Sequence, residues 1–197
     1  MADDEALSGT IKALNENGIS TFVVASGEEA KRKALELIPK GSEVFTFTST
    51  TLEEIGLAKE LNESGKYNSL RSKFQKMDRN TQKKEMAQLA AAPDWAVGSV
   101  HAVTQDGKVI IASATGSQLA AYANGAQHIL WIVGTQKIVK DVSSGVKRIN
   151  EYALPLETER AKKAYGVGSF VAKLLILNKE FVPNRITLIF VREKLGF

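Results

Sequence analysis

The sequence predicts a single α/β domain with a mostly parallel sheet covered by helices on both faces. Segments of helical and of strand periodicity alternate in the first half, which is typical of βαβ units with right-handed crossovers. Residues 128–134, HILWIVG, form a short continuous apolar run, as expected of a strand buried on both faces. The 197 residues contain no internal repeat, low-complexity tract or linker, so one domain over residues 1–197 is expected.

The first half of the chain is predicted to hold three helices and two strands. The helices are expected at residues 4–17, at 27–38 and from 49 onward, and the strands at 19–26 and 43–49. In the first helix, Leu7, Ile11 and Leu14 recur at helical spacing. The third helix begins at STTLEEIG, where Ser49 or Thr50 is a suitable N-cap.

The second half of the chain is predicted to hold a long helix, a β-hairpin, and further helices and strands up to the last residues. Helical periodicity covers residues 73–92 and ends at Pro93. Two β-rich runs within residues 95–113 flank Asp106-Gly107, a strong indication of a β-hairpin. The remaining predicted elements are an Ala-rich helix after residue 117, a strand at 128–134, helices at about 143–152 and 155–164, and two closing strands, KLLILN and RITLIFV.

Composition indicates a soluble globular protein, with 44% hydrophobic and 24% charged residues. The net charge of +4 is small and basic residues are scattered among acids, so nucleic-acid binding is not expected. No apolar run approaches the roughly 18 residues that span a bilayer. The acidic start, MADDEALSG, does not have the pattern of a secretory signal, so a cytoplasmic protein is expected.

The chain has no cysteine and two histidines. Disulfides, iron–sulfur ligation by this chain and a thiol nucleophile are therefore excluded. A histidine-rich metal site is not expected either, and no cofactor is indicated.

A first candidate site is the turn in SATGSQLAAYANG, residues 113–125. Thr115, Gly116, Ser117 and Gln118 follow an apolar strand and precede a predicted helix. Unpaired backbone N–H groups at such a junction, with hydroxyls beside them, suit an anion. The same residues also suit an ordinary helix cap, and the sequence leaves both interpretations open.

Two further junctions are expected near the first. TSTT at 48–51, with Ser49 and Thr50, follows a strand and opens a helix. Lys137 follows the 128–134 strand and is either a charge for a phosphate or carboxylate, or an exposed loop lysine. Ligands in open α/β sheets bind beyond the carboxyl ends of strands. We therefore expect these turns to share one sheet edge and to bind a small phosphorylated or carboxylated metabolite.

Other polar residues carry weaker indications of chemistry. His101 is the candidate acid–base group, because an unperturbed imidazole titrates near neutrality, but no triad spacing accompanies it. Glu157 and Arg160 lie one helical turn apart and either pair with each other or offer Arg160 to a ligand anion. Trp95 and Trp131 are interpreted as core residues.

Several segments resemble one known family in order along nearly the whole chain: TSTTLEEIGL, GSVHAVTQDGKVIIASATGSQLAAYANGA, WIVGTQKIV, LPLETERAKKAYG and NRITLIFVREKLGF. They are similar to the short, stand-alone members of the lactate-utilisation (LUD) domain family. The resemblance implies the fold of ribose-phosphate isomerases, glucosamine-phosphate deaminases and CoA transferases, a three-layer α/β/α sandwich. It also implies an association with L-lactate or related organic-acid oxidation, beside iron–sulfur partner proteins.

The chain departs from the pattern of that family at one turn. Many members carry a Gly-Asn-Gly-Arg-like turn, where this chain has Thr115-Gly116-Ser117-Gln118 and no arginine. A glutamate nucleophile like that of CoA transferases is not visible either. Two functions stay open: a domain that binds or transforms a small anionic metabolite, and a non-catalytic accessory protein that docks to iron–sulfur or flavin redox partners. A homo-oligomer formed through the closing strands is a further expectation.

Overall fold

The computed structural model describes residues 3–197 and contains two β-sheets with helices around them. The helices are α1 (Asp4–Glu16), α2 (Gly27–Leu37), α3 (Thr50–Glu54), α4 (Leu57–Glu63), α5 (Leu70–Gln75), α6 (Lys83–Ala91), α7 (Val142–Arg148) and α8 (Leu154–Tyr165). The strands are β1 (Ser20–Val24), β2 (Glu43–Thr46), β3 (Asn68–Ser69), β4 (Trp95–Gly98), β5 (Ala102–Thr104), β6 (Val109–Ser113), β7 (His128–Gly134), β8 (Ile138–Val139), β9 (Lys173–Leu177) and β10 (Ile186–Val191).

The main sheet has six parallel strands in the order β1-β10-β7-β4-β2-β3. Its central strand β7 is buried on both faces: Trp131 and Val133 pack into one core, and Leu130 and Ile132 into the other. The continuous apolar run predicted this double burial, and it is confirmed.

Helices α2, α3 and α4 cover one face of the main sheet, where Ala30, Leu52 and Leu57 are fully buried. The other face packs against α1, α5 and a second sheet of four strands in the order β8-β5-β6-β9. Helix α7 lies outside that second sheet, with Ile149 just beyond its end buried on it. The predicted α/β class with a parallel sheet between helical layers is confirmed, and the second sheet is an addition to it.

The predicted hairpin around 95–113 is shorter than expected. The hairpin consists of β5 and β6, paired antiparallel around the Asp106-Gly107 turn, while β4 belongs to the main sheet. The chain passes from the main sheet to the second one at residues 99–101. The tip of the hairpin is held against the end of α1, where Nδ2 of Asn17 donates to the carbonyls of Asp106 and Gly107 at 3.1 Å each.

Three other predicted elements differ in detail. The helix expected at 73–92 is split into α5 and α6, because Asp78 accepts hydrogen bonds from the backbone of Asn80 and the hydroxyl of Thr81. The two predicted closing strands are present but lie in different sheets: β9 is antiparallel to β6, whereas β10 lies between β1 and β7. Helices α7 and α8 are joined through the π-helical turn Ile149–Ala153.

Among residues 3–197, no helix combines the length and apolar character needed to cross a bilayer.

Candidate functional site

A cavity of about 490 Å³ lies between the carboxyl ends of the main-sheet strands and the second sheet. Its walls come from residues 47–51 after β2, residues 99–101 after β4, the turn after β6, Lys137 after β7, and α8 with the segment that follows it. The volume falls within the range of small-molecule sites.

The structure brings nearly all the predicted site residues to this cavity. Those lining it are Ser49, Thr50, His101, Thr115, Ser117, Gln118 and Lys137. Gly116 is not among the lining residues, and the side chain of Lys173 packs against its backbone. The expected single sheet edge is wrong, because β2 belongs to the main sheet and β6 to the second one, so the two turns meet across the cavity.

The turn after β6 is held together by its own hydrogen bonds. The N–H of Gly116 donates to Oγ of Ser113 at 2.8 Å, and that of Ser117 to Oγ1 of Thr115 at 3.3 Å. The amide of Gln118 accepts from Ser113 and donates to the carbonyl of Ala112. These N–H groups are therefore not the free anion donors that the sequence suggested.

The helix expected after this turn is short. Its regular part, Ala121–Gly125, is a single π-helical turn. The wide turn places Tyr122 in the core and against the cavity, with its hydroxyl over Gly98. The hydroxyls of Thr115 and Ser117 are what this segment offers to a ligand.

The turn after β2 serves as a helix cap. Oγ of Ser49 accepts from the N–H of Leu52 at 3.3 Å, so the predicted cap of α3 is confirmed. Because α3 spans only Thr50–Glu54, its dipole contributes little to anion binding. Thr51 is buried and points its hydroxyl toward Lys137.

Lys137 is a buried lysine in the cavity wall, with 2% of its surface exposed, so the alternative of an exposed loop lysine is wrong. Its Nζ lies 3.1 Å from Oγ of Ser99 and 3.2 Å from Oγ1 of Thr51. Within residues 3–197, no carboxylate approaches Nζ to 4.0 Å. Burial lowers the pKa of Lys137 to about 7; the charge of Arg148 acts in the same direction and that of Glu54 opposes it.

His101 is a neutral histidine in the same wall. The backbone N–H of Ala112 donates to its Nδ1, which leaves the ring proton on Nε2. Burial, with the charges of Lys137 and Arg148, lowers the pKa of His101 to about 3. An imidazole with that pKa does not exchange protons readily at neutral pH, so we assign His101 a donor role instead of the acid–base role considered from the sequence.

Glu157 and Arg160 form the expected intrahelical pair. Nε and one terminal nitrogen of Arg160 each donate to a carboxylate oxygen of Glu157 at 2.7 Å. The carboxylate raises the pKa of Arg160. Both residues also line the cavity, so the pair presents a guanidinium edge to a ligand without adding net charge.

Sequence reasoning missed Ser99, Arg148 and the apolar rim. Ser99 follows β4 directly, and the rule that ligands lie beyond the carboxyl ends of parallel strands would have identified it. Arg148 donates to the carbonyl of His101 at 2.7 Å and has no such positional indication. Tyr165 and Phe170 are each 62% exposed where they line the cavity.

Comparison with known proteins gives a family and a fold. The chain is similar to a crystal structure of a DUF162 family protein from Deinococcus radiodurans, with a TM-score of 0.58, 14% identity, and 97% of this chain and 99% of that chain covered. Weaker likenesses are to ribose 5-phosphate isomerase from Plasmodium falciparum (TM-score 0.42, 11% identity, 87% and 95% covered) and ribose 5-phosphate isomerase A from Neisseria gonorrhoeae (TM-score 0.37, 13% identity, 59% and 54% covered). No curated protein matches the sequence.

The first of these likenesses extends over nearly the full length of both chains and shows a common fold. The sequence itself matches the model of the LUD domain over residues 7–191. This match covers β1 through β10, including every strand that borders the cavity. The chain therefore belongs to the LUD domain family.

Proposed function

We propose that the cavity binds a small anionic metabolite, phosphorylated or carboxylated, with Lys137 as its principal cation. The observation that carries this proposal is a buried lysine amino group with two hydroxyl partners and, among residues 3–197, no carboxylate within 4.0 Å. Membership of the LUD domain family supports a role related to lactate utilisation.

The charges around the cavity favour an anion over a neutral ligand. Of the acids that the structure describes, none lies within 4.0 Å of the charged groups of Lys137 and Arg148, whereas Arg160 is neutralised by Glu157. A buried charge without a counter-ion is unfavourable, and a bound anion would restore the ammonium form of Lys137. The hydroxyls of Thr115 and Ser117 and the Nε2–H of His101 supply uncharged donors beside it.

The lining also limits the shape of the ligand. The hydroxyls and Lys137 follow strands β2, β4, β6 and β7, whereas α8 and the segment after it add the exposed apolar side chains of Tyr165, Val167 and Phe170 beside the Glu157–Arg160 pair. A ligand that uses the whole cavity would therefore have an acidic group at one end and an apolar part at the other.

A calorimetric titration series tests the proposal, using inorganic phosphate, sugar phosphates, nucleotides, lactate, pyruvate and longer monocarboxylates as probes. One class is expected to bind, and Lys137→Met is expected to weaken it by about tenfold or more, since hydrogen bonds to charged groups contribute about 1.5–3 kcal/mol. Lys140→Met removes an exposed lysine that does not line the cavity and should bind as the wild type does.

The dependence on pH gives a second, independent measurement. Because the ammonium form binds, the affinity should fall as pH rises above about 7, and the proton uptake on binding should approach one per bound anion well above that pH. Titration in buffers of different ionisation enthalpy measures that uptake. An equal affinity of the wild type and Lys137→Met, or no binding by any probe, would refute the proposal.

The alternative function is an accessory protein that docks to iron–sulfur or flavin redox partners. Exposed apolar side chains on β9 and after it favour some protein contact: Leu174, Ile176, Phe181 and Val182 are 43%, 36%, 90% and 41% exposed. A second copy of the chain would use the same surface. Light scattering of the isolated protein measures whether it forms an oligomer. Co-purification from the native host tests for a redox partner, with the surface variant Phe181→Ser as the control.

A further inference from the structure

We infer that Ser99 is a nucleophile and Lys137 its general base, and that the cavity hydrolyses a carboxylic ester. This inference rests on the proposed function, because the acyl substrate would occupy the same cavity; anion binding uses the ammonium form of Lys137, and the reaction uses its neutral form. It adds the reacting group and the class of reaction.

The hydrogen-bond directions around Lys137 leave one hydroxyl proton free to move to Nζ. The hydroxyl of Thr51 lies within 3.4 Å of the carbonyl of Leu195, an acceptor for its proton. Within the described part of the chain, residues 3–197, the Oγ of Ser99 has no carbonyl partner and is hydrogen-bonded to Nζ of Lys137 at 3.1 Å and Oγ1 of Thr51 at 3.4 Å. When Lys137 is neutral, its lone pair is therefore the natural acceptor for the proton of Ser99.

The two hydroxyls also differ in access. Thr51 is 1% exposed, whereas Ser99 is half-buried and lines the cavity. Ser99 stands directly after β4, which lies between β7 and β2 in the main sheet. The preceding residue is Gly98, and the hydroxyl of Tyr122 occupies the space that a Cβ would take there.

The state of the base suits this role. Burial and the charge of Arg148 lower the pKa of Lys137 to about 7, and Glu54 acts in the opposite direction. A substantial fraction of neutral amine is therefore present near neutral pH, which an exposed lysine does not provide. His101, which lies in the same wall, stays neutral over the same range.

The reaction balances without a cofactor. Oγ of Ser99 forms a bond to the ester carbonyl carbon while its proton moves to Nζ of Lys137. The bond from the carbonyl carbon to the alcohol oxygen then breaks, and the alcohol leaves with that proton. Water attacks the acyl-serine with Lys137 again accepting a proton, and the carboxylic acid is released as the proton returns to Ser99.

Active-site labelling tests the inference on the full chain. A fluorophosphonate and phenylmethylsulfonyl fluoride should each add one group per chain, located by mass spectrometry on Ser99. The labelling rate should rise with pH around 7 and then level off, following deprotonation of Lys137. Lys137→Met should slow labelling by about 100-fold, the usual scale of a lost general base, and Ser99→Ala should abolish it.

Two variants outside the cavity serve as controls: Ser143→Ala and Lys140→Met should label at the wild-type rate. Thermal melting of every variant shows that it is folded. Absence of labelling in the folded wild type, an adduct on another residue, or a rate unaffected by Lys137→Met would overturn the inference.

A parallel calorimetric titration separates this inference from the proposed function. If Ser99→Ala binds the anionic probe but the wild type is not labelled, only the assignment of Ser99 as the nucleophile fails. If neither protein binds any anionic probe, the proposed function fails.

Discussion

The backbone N–H of Ala112 lies 3.1 Å from Nδ1 of His101 and donates a hydrogen bond to it, which ties the ring to β6. The folded protein therefore favours neutral His101, and burial lowers its pKa from 6.5 to about 3. Between these two values the unfolded chain binds more protons than the folded one, so stability falls as the pH decreases from 6.5 toward 3.

We expect His101→Asn to reduce this loss on acidification, because Oδ1 of asparagine can accept the same hydrogen bond and does not titrate. Urea unfolding between about pH 6.5 and pH 4 measures it. His128→Asn, at the start of β7, is the matched control and should leave the acid dependence close to that of the wild type. Parallel curves for the wild type and His101→Asn would contradict the assignment.

The lowered pKa of Lys137 predicts a second change of stability with pH, on the alkaline side of neutrality. Its pKa is lowered from 10.5 to about 7 by burial, so the unfolded chain binds more protons between these values and stability rises with pH over that interval. Lys137→Met removes the titration and fills the same space, which should flatten the rise. Unfolding free energies at about pH 7 and pH 9 of this variant and of Lys140→Met make the comparison; a slope that both variants share would count against a buried ammonium.

Arg185 is the main buried cation outside the cavity wall. Its guanidinium pairs with Glu180 at 2.6 Å and donates to the carbonyls of Ala126 and Ala121 at 2.9 and 3.0 Å. Arg185→Leu would leave a buried carboxylate without its partner and remove the side-chain donor of the Ala126 carbonyl, and we expect a loss of about 3–5 kcal/mol in unfolding free energy.

The exposed pair of Arg192 with Asp4 is the matched control for that experiment. Arg192→Leu should cost no more than about 1 kcal/mol, because solvent screens the pair. Equal losses in urea unfolding of the two variants would show that burial does not determine the contribution of Arg185.

Substitution of Gly98 should disturb the cavity wall through a steric clash. A Cβ at this position would lie 2.0 Å from the hydroxyl of Tyr122, so Gly98→Ala must displace that ring from the wall. We expect a loss of about 1–3 kcal/mol, typical of overpacking. Gly9→Ala in α1, where the Cβ meets nothing within 4 Å, should instead stabilise by about 0.5–1 kcal/mol. Thermal melting of both variants measures the difference, and a neutral Gly98→Ala would contradict the contact.

Local patterns predicted most of the fold because each depends on nearby residues. The apolar run of β7, the cap at Ser49 and the Asp106-Gly107 turn are all determined within a few residues, and the structure has each of them. The second sheet could not be predicted in this way. Its strands come from residues as far apart as β5 and β9, and nothing local assigns them to one sheet or the other.

The site was predictable in its location and less so in its chemistry. The residue types at 49–50, 115–118 and 137 indicated an anion site, and all but Gly116 line one cavity. The lowered pKa values of Lys137 and His101 result from packing between the sheets and from the charge of Arg148. No residue spacing in the sequence indicates these contacts. A chemical role that depends on burial can therefore be assigned only from the three-dimensional structure.

The docking of the hairpin tip on α1 limits how this protein can be engineered. A Cβ at Gly107 would lie 2.6 Å from the carbonyl carbon of Ala13, and its φ of 79° already favours glycine. Tight turns between strands are usual places for fused tags, circular permutation and inserted domains. Here the turn packs against the end of α1, so an insertion at this point would separate the second sheet from that helix. Fused domains and new termini should therefore be placed at other loops.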